Sequence, residues 1–384
     1  MRKVQKVAIV RAASLNNGEM QNYLPLVNKY EVLAIGSQKG AYEFNLPIKT
    51  RKLICFGEAL SMVPKGIAML YYVFGDPQGI IGLEKVISGY DIVSTVERTN
   101  YYTLQAVRAK KKGLVKRVVV TCWENISGLH QQHSAQRRMK EEIAIGADWF
   151  IAGTHMAKKV LLEEGVSEKK ITVIPFGINL DQFCPQTGDK RFMSHFGIPI
   201  NRKKVLFAAR LVREKGIREF FFAARKIVKK RERGIMFLVT GAGNEESWLK
   251  EIAHKERLSD NFIFIPHLPY DTLNKVYLAS DVFVLPSIPT ENWQEQFGLV
   301  LVEAMACGTP VIASETGSIS EVVGNAALLV PPKDINALAD AIEKVLETSH
   351  LRSSMRQQGL QRVRRCYDRN MIADRIDKLY QSLL

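Results

Sequence analysis

Short apolar runs alternate with longer amphipathic segments along the whole chain, and this alternation constrains the fold more than any other feature. Runs of strand length and character fall at 4–10, 31–35, 91–95, 117–123 and 147–154. A second set starts at 205–209 and resumes from 237, 261, 281 and 328, with a further short one after Pro310. Segments such as 99–111, 335–347 and 351–364 lie between or after them with helical patterning. Strands regularly separated by helices pack as parallel sheets with helices on their faces. A chain of 384 residues predicts two such α/β domains rather than one. The polar stretch 181–201, with its Pro and Gly residues, is the natural boundary region. The assignment is 1–185 for the first domain, 186–365 for the second and 366–384 for a closing amphipathic helix. No internal repeat, coiled coil or low-complexity tract interrupts this plan.

Composition removes several classes of function. An apolar share of 46% and a charged share of 24% are those of a soluble globular protein. No apolar run approaches the ~20 residues that span a bilayer. The basic start has too short an apolar core for a signal peptide, so it reads as a first strand and the chain as cytoplasmic. Five scattered cysteines, Cys55, Cys122, Cys184, Cys307 and Cys366, form no C-x-x-C pair and read as reduced thiols with no metal site. A net charge of +15 favours anionic partners. The basic runs 108–117 and 225–234 read first as solvated helix faces, then as surfaces for phosphate or for an anionic membrane. Nucleic acid is not expected, because no stacking aromatics interleave with the basic residues and no helix-turn-helix, RRM or zinc-finger pattern occurs. Segment 59–83 is apolar and aromatic but broken by Pro64 and Gly75. It reads as a pair of core helices or, alternatively, as an interfacial surface.

The chemistry concentrates in residues 295–314. From Gly298 onward apolar residues recur at helical spacing, Gly308-Thr309-Pro310 ends the pattern, and a short strand follows. Glu295 is expected in the loop before this helix and Glu303 about two turns inside it. A helix start offers free N–H groups and partial positive charge, which suit a diphosphate. An ionised carboxylate only accepts hydrogen bonds, which suits sugar hydroxyls. Two glutamates at this spacing alone would read as a solvated loop residue and a local cap. The whole stretch, however, resembles the signature of the retaining GT-B glycosyltransferases of family 4 (glycosyl transferases group 1). It carries Glu295, Phe297-Gly298-Leu299, Glu303-Ala304, Ala306, Gly308 and Pro310-Val311-Ile312-Ala313.

Other stretches extend the resemblance. Ala209-Arg210, followed by Lys215-Gly216, matches the family's G-R-x-x-x-x-K-G with Ala for the first Gly. Physically, a strand end and helix start bearing Arg and Lys make an anion clamp, the guanidinium binding phosphate in a bidentate way. Gly241 lies in a glycine turn that sits under the donor in relatives, and His267 stands where a nucleobase-contacting Gly is common. Residues 168–185 resemble the family's run from the last strand of the first domain into the linker, with Phe176 where Asn is usual. Residues 316–321 resemble a turn and helix whose N-terminus faces phosphate. In the first domain the match is weaker. Asn17-Gly18 replaces the usual Gly-Gly pair, and Trp123-Glu124 stands where the family has His-Asp or a similar pair. Glu124, or His130 or His133 from the following loop, is the candidate acceptor-side polar group; singly, such histidines also read as surface or structural residues.

The resemblance implies a GT-B fold: two Rossmann-like domains facing across a donor cleft, with the C-terminal helix crossing back to the N-terminal domain. It implies transfer of a hexose-type sugar from a nucleotide sugar, UDP-linked first and GDP-mannose next, with retention of configuration. The expected acceptor is lipid-phosphate-linked or a saccharide, with peripheral contact to an anionic membrane compatible with the charge. No cofactor and no metal is expected. Arg210 and Lys215 would neutralise the leaving diphosphate, Glu295 would hold the sugar hydroxyls, and Glu303 the ribose. Gly18, Gly241, His267 and the backbone of Phe297, Gly298 and Leu299 would complete the donor site. The alternatives are a GT-B epimerase or phosphorylase, for which no motif is present, and a non-catalytic nucleotide-sugar or nucleic-acid binding protein.

Overall fold

A computed structural model of the protein describes residues 4–42, 44–129, 134–231 and 234–384. The chain divides into two compact units. The first comprises the residues up to Gly177 together with Arg369–Leu384, and the second is Ile178–Asp368.

In the first unit seven strands form one sheet: β1 (Lys6–Ala12), β2 (Glu31–Ser37), β3 (Thr50–Leu53), β4 (Ile92–Val96), β5 (Arg117–Cys122), β6 (Trp149–Ala152) and β7 (Ile171–Val173). Their order is β3-β2-β1-β4-β5-β6-β7, and every pairing is parallel. Strands buried on both faces read as continuous apolar runs, as Val7–Val10 and Val118–Val120 do. The order reverses between β1 and β4, where loops from the two sides of the sheet diverge. The C-terminal helix Arg369–Leu383 packs into this unit. Its Ile372, Ile376 and Tyr380 join the core of β1, β2 and the turn Leu24–Asn28. Its Asp377 accepts hydrogen bonds from Tyr30 Oη at 2.6 Å and Lys29 Nζ at 2.7 Å.

The second unit has six parallel strands: β8 (Lys203–Ala208), β9 (Ile235–Thr240), β10 (Phe262–Ile265), β11 (Val282–Leu285), β12 (Val311–Ser314) and β13 (Ala327–Val330). Their order is β10-β9-β8-β11-β12-β13, the doubly wound arrangement with its switch point between β8 and β11. Phe207, Phe220, Phe237 and Phe262 build the core between the sheet and the helix Ile217–Arg231. The two crossings between units lie side by side: Ile178 N–H donates to Tyr367 O at 2.7 Å, and Ile178 bridges to Asp368. Ile178 and the segment just after the last second-unit helix, Ser349–Cys366, are thereby tied together.

Two expectations need correction. Segment 59–83 is not a pair of core helices. It forms the short helix Gly66–Phe74 after an irregular turn, and only Gly66 and Leu70 of that helix are buried. Glu303 lies little more than one turn inside its helix, not two. The helix Leu299–Ala306 begins just after Gly298, which is left-handed (φ 78°), and at about 3.6 residues per turn its fifth residue, Glu303, cannot lie two turns in.

Candidate functional site

In open parallel sheets ligands bind beyond the carboxyl ends of the strands at the switch point. In the second unit, β8 and β11 flank that point, and two loops leave their ends. The loop after β8 carries Arg210 and the turn Arg213–Lys215; the loop after β11 carries Ser287 and Glu295. The loops are laced together. Ile288 N–H donates to Glu214 O at 2.8 Å. Gly216, at φ 75°, lies so close to Pro286 that an added Cβ would stand 1.8 Å from its carbonyl oxygen.

This lacing brings Lys215 and Glu295 together. Lys215 Nζ donates to Glu295 Oε2 at 2.7 Å, and Ser287 Oγ donates to the same oxygen at 2.9 Å. Lys215 also lies over the ring of Trp293, 4.9 Å from its centroid. Glu295 is held from behind as well. Ser318 N–H donates to its carbonyl at 2.9 Å, and Gly317, at φ 54°, passes so close that a Cβ would meet that oxygen at 2.2 Å. Buried, hydrogen-bonded and paired, the Glu295 carboxylate is fixed in one place.

The other expected donor residues differ in setting. Arg210 is exposed, and its guanidinium comes no nearer to Glu214 than 3.6 Å, a loose surface pair. Gly241, at φ 137°, follows β9 and runs against Ala209 O, where a Cβ would stand at 1.9 Å; Leu211 N–H then donates to Ala242 O. The glycine turn thus supports the backbone that carries Arg210. Phe297 is buried edge-on to Tyr367, with centroids 5.7 Å apart. Gly298 is buried too, and Leu299 opens the helix half-buried. His267 is exposed beyond β10, the edge strand, two strands from β8. Glu303 is only 1% exposed and accepts from Tyr277 Oη at 2.8 Å. Burial pushes its carboxyl up to about 7, with the Tyr277 and Tyr270 hydroxyls pulling the other way.

Residues 189–362 match the family model of the glycosyl transferases group 1. The second unit is a glycosyl transferases group 1 domain. The chain is 31% identical over 268 residues to the D-inositol 3-phosphate glycosyltransferase of Corynebacterium urealyticum, covering 67% of this chain and 62% of that protein. It therefore spans about three fifths of that curated relative's length. Among solved structures it resembles sucrose-phosphate synthase from Thermosynechococcus elongatus (TM-score 0.74, 22% identity, 99% of both chains). It also resembles Anabaena Alr3699/HepE in complex with UDP-glucose (TM-score 0.77, 18% identity, 98% of this chain and 99% of that one). At such identities the likeness shows the fold, which is GT-B.

Trp293 lies in none of the motifs of the resemblance. Ser287 enters it only as the end of a Pro-Ser pair at a strand terminus, with no sign of its bond to Glu295. In the first unit, Gly18 is buried in the short helix Asn17–Met20, which Asn16 caps by accepting from Glu19 N–H at 2.9 Å. Below it lies Arg11, fully buried. Its guanidinium donates to Glu19 Oε1 at 2.6 Å and Tyr23 Oη at 2.9 Å.

Glu124 sits in a buried ionic cluster rather than on an open face. Lys140 Nζ pairs with Glu124 Oε2 at 2.9 Å and with Glu164 at 3.2 Å, and Arg98 pairs with Glu164. Burial pushes the Glu124 carboxyl up, against the pull of Lys140. Burial, with Glu124's charge beside it, pushes Glu97 up to about 7. Next to this cluster Trp123 and Phe176 stack face to face with centroids 3.7 Å apart. Gly153 makes room for the indole: a Cβ there would stand 1.9 Å from it. His130 and His133 lie outside the described residues. Among the described residues no group of three or more His, Cys, Asp or Glu could hold a metal ion, and no helix is long and apolar enough to cross a membrane.

Proposed function

We propose that the protein is a glycosyltransferase that moves a hexose-type sugar from a nucleotide sugar to a lipid-linked or saccharide acceptor, with retention of configuration and without a metal. The observation that carries this reading is the Lys215–Glu295–Ser287 constellation at the β8/β11 switch point of a group 1 domain. A cation and a fixed carboxylate side by side match the two ends of a sugar diphosphate. Lys215 and the exposed Arg210 take the diphosphate oxygens, and their contribution grows as the sugar–phosphate bond breaks and charge collects on the leaving group. Glu295 accepts from the sugar hydroxyls, helped by the backbone N–H groups around Gly298. Glu303 holds the ribose once Tyr270 gives up its share of the carboxylate. The leaving phosphate takes the acceptor proton, so no protein base is assigned.

A UDP-linked donor is preferred over GDP-mannose, since Anabaena Alr3699/HepE is solved with UDP-glucose. Within that acceptor range, one that bears phosphate gains support from the D-inositol 3-phosphate glycosyltransferase name of the relative. The test is a thermal-shift panel of UDP-, GDP-, ADP- and CMP-sugars without added metal, followed by donor hydrolysis with the sugar that binds. A donor at ~100 times its Kd stabilises the fold by about 2.7 kcal/mol. Absence of any shift, with and without candidate acceptors, would sink the reading.

A further inference from the structure

Among the described residues, seven of the fifteen large apolar side chains that are exposed lie between Met62 and Val73. Met62 is 92% exposed and Tyr72 86%, while Val63, Ile67, Met69 and Val73 are about half-exposed. The helix Gly66–Phe74 is apolar on every side, yet only Gly66 and Leu70 turn inward. Gly66 allows this seating: a Cβ there would stand 2.7 Å from Leu60 O. The helix ends at Gly75, whose carbonyl accepts from Gln136 Nε2 at 2.7 Å. Gln136 belongs to the helix Ser134–Gly146, and the next two residues, Arg137 and Arg138, are both exposed. Lys65, at the start of the apolar helix, is exposed as well. The acid within 54–75, Glu58, is turned inward to the backbone N–H groups of Cys55 and Lys39.

A contiguous apolar ridge of this kind is rare on a monomer and marks a surface that something covers. We infer that the ridge between Met62 and Val73, with Arg137, Arg138 and Lys65 beside it, seats the first unit on an anionic bilayer surface. The apolar side chains enter the headgroup–acyl boundary with the helix in the interface plane, and the basic residues meet lipid phosphates. The charges favour a bilayer over a second copy of the chain. Two such faces brought together would oppose cation to cation, and the whole chain carries +15. The inference deepens the proposed function by choosing the lipid-linked class of acceptor, and so rests on that reading for its purpose, though vesicle binding itself requires no donor.

The test is flotation of the full chain with vesicles of phosphatidylcholine alone and of phosphatidylcholine with phosphatidylglycerol, at low and high salt. Two variants accompany it, Met62→Ser/Tyr72→Ser and Arg137→Gln/Arg138→Gln, whose altered side chains are exposed and far from any proposed donor contact in sequence. The wild type is expected to float with the anionic vesicles and to be released by salt. The first variant should lower partition by more than about tenfold. The second should lower it about thirty-fold on anionic vesicles and flatten the salt dependence. No binding by the wild type, or equal binding by all three, overturns the inference. So does concentration-dependent self-association that Met62→Ser/Tyr72→Ser abolishes without vesicle binding, which would assign the ridge to a second copy. The donor-induced thermal shift is read in parallel. Vesicle binding without any donor shift would leave the membrane surface standing and remove the glycosyltransferase reading; a donor shift without vesicle binding would do the reverse.

Discussion

Lys215 Nζ lies 2.7 Å from Glu295 Oε2 across eighty residues of sequence. Their side chains are 14% and 7% exposed, so each charge depends on the other for its stability in a poorly solvated place. Lys215→Ala would leave a buried carboxylate without its cation. The expected loss is about 3–5 kcal/mol of folding stability, with donor turnover down by about a hundredfold or more. The double variant Lys215→Ala/Glu295→Ala should lose less stability than the two single variants together. Chemical denaturation of all four forms closes the cycle. Additivity within about 0.5 kcal/mol would show that the two charges are not coupled.

Gly317 gives a test of the backbone under Glu295. Its φ of 54° already strains any residue with a Cβ, and that Cβ would collide with the Glu295 carbonyl oxygen at 2.2 Å. Gly165 has a similar φ of 81° but open space around it. Gly165→Ala should therefore cost only the left-handed strain, about 1–2 kcal/mol. Gly317→Ala should cost about 3 kcal/mol or more, because a steric clash is added. It should also weaken the donor-induced thermal shift, which Gly165→Ala leaves intact. Equal costs for the two variants would argue that Glu295 is not positioned by this contact.

Glu303 makes stability depend on pH in an unusual direction. Burial raises its folded carboxyl to about 7, above its ordinary value of 4.5. Between those values the folded chain holds a proton that the unfolded chain has released. Stability is then greatest below the lower value and falls as pH rises through the window. At pH 8 this term alone amounts to roughly 3 kcal/mol. Glu303→Gln keeps an acceptor for the Tyr277 hydroxyl and removes the titration. Urea midpoints from pH 5 to pH 8 should fall more steeply in the wild type than in Glu303→Gln. Glu97, raised in the same way, is common to both and cancels in the difference. Parallel curves would count against a titrating Glu303.

Much of this was legible because it is periodic or local. The strand runs 4–10 and 205–209 lie within two residues of β1 and β8, since an apolar run buried on both faces has little else to become. The loop from Glu295 to Gly298 and the helix after it could be placed from Gly298 and Gly308-Thr309-Pro310 alone. The partners of those residues could not. Ser287, Trp293 and Gly317 meet Lys215 or Glu295 only through the return of β11 beside β8 and the turn after β12. Arg98 and Glu164, paired across 66 positions, carry no local sign of each other. Residues 62–73 misled for a different reason: hydrophobicity without a polar face looks the same whether a helix is enclosed by protein or by something else.

The Glu124 cluster supplies the last prediction, because it decides whether that residue can act on an acceptor. Lys140 is shared between Glu124 and Glu164, and all three side chains are less than a tenth exposed. Lys140→Met removes the cation from two buried carboxylates at once and, among the described residues, leaves Arg98, which is held by Glu164. The expected cost is about 3–5 kcal/mol, against no more than about 0.5 kcal/mol for Lys158→Met, whose partner Glu168 is exposed. Adding Glu124→Gln to Lys140→Met should restore part of the loss, since a neutral amide no longer needs the ammonium. If Glu124→Gln by itself preserves both stability and turnover, the residue is a counter-charge for Lys140 and the acceptor is held elsewhere. If stability holds but turnover with acceptor collapses while donor hydrolysis persists, Glu124 reaches the acceptor from within the cluster.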